Sequence, residues 1–310
     1  MLHPYALALA VLVAGASAPR LSADTPPGLR AALLIRGGTL RASGQRPRGP
    51  AVPSTPKGLE RCTGGLELEG PLPSGVGETI RYDLAVDSGL LGDVRVGSLD
   101  FKIERAGTLD GAAVTEYRGQ LCVDPIVRTF VRASGRAAAV VPIDGDAPVE
   151  AMSRYAVDGR NFEERLALSD GGRRLRSDRS AGGKRLERGR TFPEPVRDFL
   201  TAFYALRALP RGASGCTVLY GQQKAYTVWL EPAGTGTVRI PAGRRVADRY
   251  AFRYAREHSR TIVEGEMWLS QGPERLPYKM VVRGKRPMTA TVASYVPGAS
   301  RAGAGEQAAR

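Results

Sequence analysis

The chain has 310 residues, 42% of them hydrophobic and 6% aromatic, with 38 glycines and 22 prolines. That is an ordinary globular composition rich in turns, long enough for one large or two small domains. The net charge of +14 rests almost wholly on arginine, since only six lysines occur, and it is spread along the chain with no basic cluster interleaved with aromatics. A solvated basic exterior is therefore expected and nucleic acid is not expected as a partner.

Residues 1–18 read as a signal peptide. Tyr5 to Gly15 is a continuous small and apolar run, too short to span a bilayer. Ala14-Gly15-Ala16 and Ala16-Ser17-Ala18 are both possible cleavage motifs, and no cysteine follows to carry a lipid anchor. These features point to a periplasmic or secreted product with no transmembrane segment after signal removal. Residues 19–60 lack periodicity and contain GQRPRGPAVPSTPKG, which reads as a Pro/Arg-rich disordered linker.

A β-rich domain is expected over 61–296. Thr79 to Val86 alternates, with Ile80, Tyr82, Leu84 and Val86 on one face and Arg81 and Asp83 on the other. In the next strand the apolar parity switches from Val94 and Val96 to Leu99, Phe101 and Ile103, which predicts a β-bulge near Gly97-Ser98. Thr115 to Val123, Ile126 to Val131 and Ala137 to Ile143 read as three further strands. Ser153 to Val157 and Phe162 to Leu168 form a hairpin through Asp158-Gly159. Residues 171–190 continue it as a basic ribbon. Arg173, Arg174 and Arg176 are its candidate anion-binding residues, although an edge hairpin charged against aggregation explains them as well.

Val196 to Leu209 is the one segment with helical periodicity. Val196, Phe199, Leu200, Phe203 and Leu206 share a face, Pro195 suits the first turn, and Pro210 and Gly212 end it. If this helix closes the sheet, Phe199, Leu200, Phe203 and Leu206 are buried and Arg197, Asp198 and Arg207 face solvent. Seven strands follow: Cys216–Tyr220, Ala225–Leu230, Thr237–Ile240, Val246–Tyr254, Thr261–Leu269, Pro277–Val282 and Thr289–Tyr295. Residues 297–310 read as a flexible tail. The expected fold is mainly β: one curved antiparallel meander sheet or half-open barrel with a single long helix packed on or in it.

Of three cysteines, Cys122 lies in an apolar strand, while Cys62 and Cys216 sit in Gly-rich connections. If one disulfide forms, it joins Cys62 to Cys216; three free thiols is the alternative. Several stretches resemble, in order and spacing, the bacterial domain of unknown function 3108 family over about residues 76–296. They are Glu78-Thr-Ile-Arg-Tyr-Asp, Ala205-Leu-Arg-Ala-Leu-Pro210, IPAG at 240–243, Trp268-Leu-Ser and RLPYKMVVRG at 275–284. The resemblance implies export to the periplasm and a curved antiparallel sheet. It brings no activity and no catalytic residues.

The sequence contains little that suggests catalysis. His258 is the only histidine outside the apolar leader, and its nearest serine, Ser259, is its neighbour rather than an opposing group. Glu264 and Glu266, two apart in a strand and roughly 6–7 Å from each other, could in principle serve glycoside hydrolysis. Arginines on adjacent strands offer them structural partners instead. Phosphate-loop and nucleophile-elbow motifs are absent. No enzyme activity, metal or cofactor is expected. What remains is the space between helix and sheet, where Phe199, Phe203, Tyr226, Val228, Trp229, Phe252, Tyr254, Trp268 and Tyr278 could line a pocket or fill a core. The resulting expectation is a periplasmic binding or envelope-maintenance protein for an apolar or amphipathic ligand. The alternative is a basic module for anionic cell-envelope surfaces or polysaccharide.

Overall fold

The computed structural model describes residues 62, 65–89, 92–128, 133–157, 159–259, 261–284 and 287–299. The expected signal peptide, the linker and most of the tail lie outside these residues. The chain first runs as a meander of β1 (Thr79–Asp87), β2 (Asp93–Leu109), β3 (Ala112–Val123), β4 (Ala133–Pro142), β5 (Glu150–Val157), β6 (Arg160–Ser169), β7 (Arg174–Ala181) and β8 (Lys184–Thr191). After a link it continues as β9 (Val196–Arg197), β10 (Gly215–Gly221), β11 (Lys224–Ile240), β12 (Gly243–Arg256), β13 (Ile262–Ser270), β14 (Pro277–Arg283) and β15 (Met288–Val296). Two short helices are interspersed, α1 (Pro125–Arg128) and α2 (Phe199–Arg207).

All fifteen strands belong to one sheet, in which β1 pairs with β15 at the centre while β8 and β9 are the two edges. Every neighbouring pair is antiparallel except β9 with β10. Laid flat, fourteen inter-strand steps would span about 67 Å. Yet β8 ends at Thr191 and β9 begins at Val196, and five residues reach at most about 18 Å. The sheet must therefore curl until its edges nearly meet. The edges do not pair, so the barrel stays open along a seam. Turns and side chains bridge that seam: Val196 N, on β9, donates to Gly172 O in the β6–β7 turn at 3.0 Å. Arg190 pairs with Glu257 at 2.7 Å. Glu164, on β6, accepts from Gln223 N at 2.7 Å and from Gln222 N, both in the β10–β11 turn.

Most strands follow the alternation. On β1, Ile80, Tyr82, Leu84 and Val86 are all buried. The bulge on β2 falls at Val96, since Leu84 faces Gly97 and Ala85 faces Arg95. Val157 faces Arg160, so the β5–β6 link is two residues long; Asp158 itself is outside the described residues. Two expectations are corrected. The strand expected at Ile126 to Val131 begins instead as α1, because Asp124 and Pro125 are residue types that start a helix. The strands expected at Ala225–Leu230 and Thr237–Ile240 are one strand, β11, whose register shift between Pro232 and Thr235 absorbs the proline and glycines.

The helix is shorter than expected. Val196 and Arg197 pair with Val218 and Leu219 as β9, and α2 starts only at Phe199. Asp198 is its N-cap, accepting from Leu200 N at 3.0 Å and Thr201 N at 3.1 Å, a better cap than Pro195 could provide. Arg197, Asp198 and Arg207 do not face solvent; they are 3%, 8% and 4% exposed. Each is buried because it has a specific partner. Arg197 binds the carboxylate of Asp146 and donates to Thr217 Oγ1 at 2.8 Å, and Arg207 forms a two-pronged pair with Glu78. Leu200 and Phe203 are buried, while Phe199 and Leu206 are half-buried.

Candidate functional site

The helix lies inside the curled sheet, and its two sides meet different surroundings. One side packs tightly on the first meander. Phe203 stacks on Phe101 with ring centroids 3.9 Å apart, and Tyr204 rests on Tyr117 at 4.3 Å. Tyr82 meets Phe203 edge-on at 5.9 Å. The sheet makes room for the helix at Gly221, where a Cβ would come within 2.5 Å of the Phe199 ring.

The other side of α2 looks toward β10–β14 across a cavity of about 100 Å³, whose lining also takes in Leu66 and, from β2, Leu99 and Phe101. Phe199, Ala202, Phe203 and Leu206 form the helical wall. Leu219, Val228, Leu230 and Phe252 face them from the sheet, with Met267 and Met280 beyond. Thr217 and Tyr254 bring the few polar groups of the lining, and burial pushes the Tyr254 phenol up to about 12, so it stays neutral at ordinary pH. Gly265 stands opposite Phe252 and leaves room for that ring, because a Cβ there would fall 2.1 Å from its Cζ. The space is smaller than the ~150 Å³ that holds a benzene in a dry engineered cavity. Two methionine side chains give its walls the freedom to adjust.

Of the pocket residues expected from sequence, the structure brings Phe199, Phe203 and Phe252 to the cavity. Tyr226 lies beside it, 5.5 Å from the Phe199 ring. Trp229 does not line it: Val228 and Leu230 do, and alternation puts Trp229 on the opposite face. Trp268 and Tyr278 pack at the margin of the core, with Lys279 5.7 Å from the Trp268 ring. Val228 and Tyr254, also expected to present apolar surface there, line the cavity, whereas the lining residues Leu206, Met267 and Met280 were not among those expected.

The other candidates are dispersed. Cys62 and Cys216 are joined by a disulfide, and Cys122 is free. Arg173 Nε donates to Pro193 O at 3.2 Å, Arg174 lies 3.7 Å from Asp170, and Arg176 donates to Glu187 at 3.2 Å, so two of the three ribbon arginines already face carboxylates. His258 sits in an exposed turn with φ 59°. Glu266 is engaged by Arg283 at 2.8 Å, and Glu264 is exposed on the same strand. Among the described residues, no three His, Cys, Asp or Glu side chains gather as a metal site would need.

The family described as "Protein of unknown function (DUF3108)" matches residues 94–285, which run from β2 past the end of β14 and include nearly all of the cavity wall. The chain belongs to the DUF3108 family. Among solved structures, this DUF3108 chain is similar to a β-barrel-like protein of domain of unknown function DUF1849 from Brucella abortus. The two share 12% identity with a TM-score of 0.49, over 74% of this chain and 99% of that one. It is also similar to a candidate exported protein with a YmcC-like fold from Bacteroides fragilis, at 8% identity and TM-score 0.35, over 74% and 99% of the two chains. A candidate lipoprotein from Parabacteroides distasonis gives 10% identity and TM-score 0.32, over 74% and 100%. No curated protein matches the DUF3108 chain.

Proposed function

We propose that this protein is a non-enzymatic, exported binding protein of the periplasm that holds an apolar or amphipathic ligand between α2 and β10–β14, in the service of envelope maintenance. The observation that carries this reading is the cavity itself. It is bounded on one side by a helix anchored at both ends and on the other by a sheet whose wall is apolar over Leu219, Val228, Leu230 and Phe252. Small-molecule sites are typically concave, mostly apolar and largely preformed. Export is supported by the apolar leader and by the Cys62–Cys216 disulfide, since such bonds persist mainly outside the cytoplasm.

The test is native mass spectrometry of the full chain purified without detergent, followed by solvent extraction. Wild-type protein is expected to carry a bound apolar species, and Ala202→Phe, which places a ring in the cavity, is expected to lose it. Wild type and variant carrying the same adducts, or neither carrying any while the purified protein also fails to take up added alkyl compounds, would refute the reading.

A further inference from the structure

The inner face of β11 and β12 changes character along its length. Val228 stands opposite Tyr254 and Tyr226 opposite Arg256, so these side chains and Lys224, two residues before Tyr226, share one face. That face is the cavity wall. From Leu230 through Val228 and Tyr226 to Lys224, and from Phe252 through Tyr254 to Arg256, it passes from apolar to cationic in steps of about 7 Å. Arg179 arrives from β7 across the seam, with its Nη2 donating to Tyr155 Oη at 3.0 Å and its guanidinium over the Phe162 ring. It is near enough to act on both Lys224 and Tyr226.

This rim has an excess of unanswered donors. Lys224, Arg256 and Arg179 form no ion pair with a carboxylate among the described residues. The two acids closest to them are engaged elsewhere. Glu164 accepts from Ser177 Oγ at 2.9 Å and from the Gln222 and Gln223 amides. Glu257 accepts from Arg190 and from Ala225 N at 3.0 Å. Tyr226 Oη and Arg179 Nε are both buried with no hydrogen-bond partner. Buried donors left in this state are uncommon and costly, and an anionic head group reaching them would supply the missing acceptors. Burial, then the charges of Arg256 and Arg179, hold the Lys224 ammonium below its usual range, and the nearby Glu257 carboxylate offsets them only in part. Burial pushes the Tyr226 phenol up to about 12, so it remains a neutral donor.

We propose that the ligand is a single-chain anionic amphiphile, an unbranched alkyl chain with a carboxylate or phosphate head. Its tail enters the cavity and its head is held by Lys224, Arg256, Arg179 and the Tyr226 hydroxyl. This rests on the reading of the cavity as a ligand site and adds the chemistry of the ligand. Charge-assisted hydrogen bonds of this kind are about twice as strong as neutral ones, and the uncharged wall beyond them accepts only the chain.

The experiment is calorimetric titration of the full chain with octanoate, octyl phosphate and octanol, each below its micelle concentration. At least one of the two anions is expected to bind about ten-fold or more tightly than octanol. Which anion is preferred distinguishes a fatty-acid-like head from a phosphate head. Tyr226→Phe removes only the unpartnered hydroxyl and leaves the fold intact; it is expected to weaken the preferred anion several-fold with octanol unchanged. Lys224→Met combined with Arg256→Gln is expected to abolish the preference. Equal affinity for all three compounds, or a preference that survives both variants, overturns this inference and leaves the apolar site standing. No binding of any of the three overturns the site reading as well.

Discussion

The pair between Arg207 at the end of α2 and Glu78 just before β1 gives the sharpest energetic prediction. The two side chains are 2% and 5% exposed, and Arg207 Nη2 donates to Glu78 Oε2 at 2.8 Å as one prong of a two-pronged contact. Arg207 Nε also donates to Glu274 O at 3.0 Å, and Tyr295 Oη to Glu78 at 3.3 Å. Burial alone would lower the Arg207 pKa; the Glu78 carboxylate outweighs it and keeps the guanidinium charged. Removing either partner strands a buried charge, which costs about 3–5 kcal/mol, whereas replacing both with apolar side chains of similar volume is often close to neutral. Arg207→Met and Glu78→Met are therefore each expected to destabilise by about that amount, and the double variant by clearly less than either single one. Urea denaturation of the four proteins gives the coupling energy, expected at several kcal/mol and of the sign that makes the double variant better than the sum. Additive single effects, or single effects below about 1 kcal/mol as for a surface pair, would refute the claim that this pair pins the helix within the sheet.

Phe203→Ala removes a ring stacked on Phe101 and touching Tyr82 and Tyr204, and is expected to cost about 3–5 kcal/mol by chemical denaturation. The Cys62–Cys216 bridge closes a separation of 154 residues, so Cys62→Ser with Cys216→Ser should lose about 4–5 kcal/mol on the chain-entropy account, and a reductant should lower the wild-type melting temperature but not the variant's. Asp248 receives hydrogen bonds from Arg211, Gln271 and Arg275; these outweigh burial, which alone would raise it, and hold its pKa below the ordinary 3.8. A depressed carboxylate stabilises above its unfolded pKa and loses that contribution as pH falls through the folded value. Asp248→Asn should accordingly melt lower than wild type near pH 7, and thermal melts should show the gap narrowing as pH drops below 3.8.

Much of the architecture was legible because period-two alternation is a local signal. Ile80, Tyr82, Leu84 and Val86 announce a half-buried strand, and the parity change between Val96 and Leu99 announces the bulge. The start of α2 was less visible, since the apolar spacing of Val196 continues that of Phe199 and only the cap of Asp198 marks the boundary. The burial of Arg197 and Arg207 was not readable at all. Their partners, Asp146 and Glu78, are 51 and 129 residues away, and a charged side chain without a visible partner is reasonably assigned to solvent. The pocket was only partly legible. Val228 and Tyr254 were legible, but Trp229 was set beside them by size where parity turns it to the opposite face, and Met267 and Met280 reach the cavity only because the second meander curls over the helix. The cationic rim was hidden for the same reason, as Arg179 comes near Lys224 and Tyr226 only across a seam that exists once β8 and β9 approach.

The central claim, that the space between α2 and the second meander receives an alkyl chain, is tested most directly at the methionines. The chain has five, of which Met267 and Met280 line the cavity, while Met152 lies away from it beside a smaller void of about 20 Å³. In a methyl NMR titration of methionine-labelled protein with octanol, the Met267 and Met280 ε-methyl signals are expected to shift together and saturate, with Met152 little changed. Saturation at Met152 alone, or no saturable shift at Met267 and Met280, would contradict it.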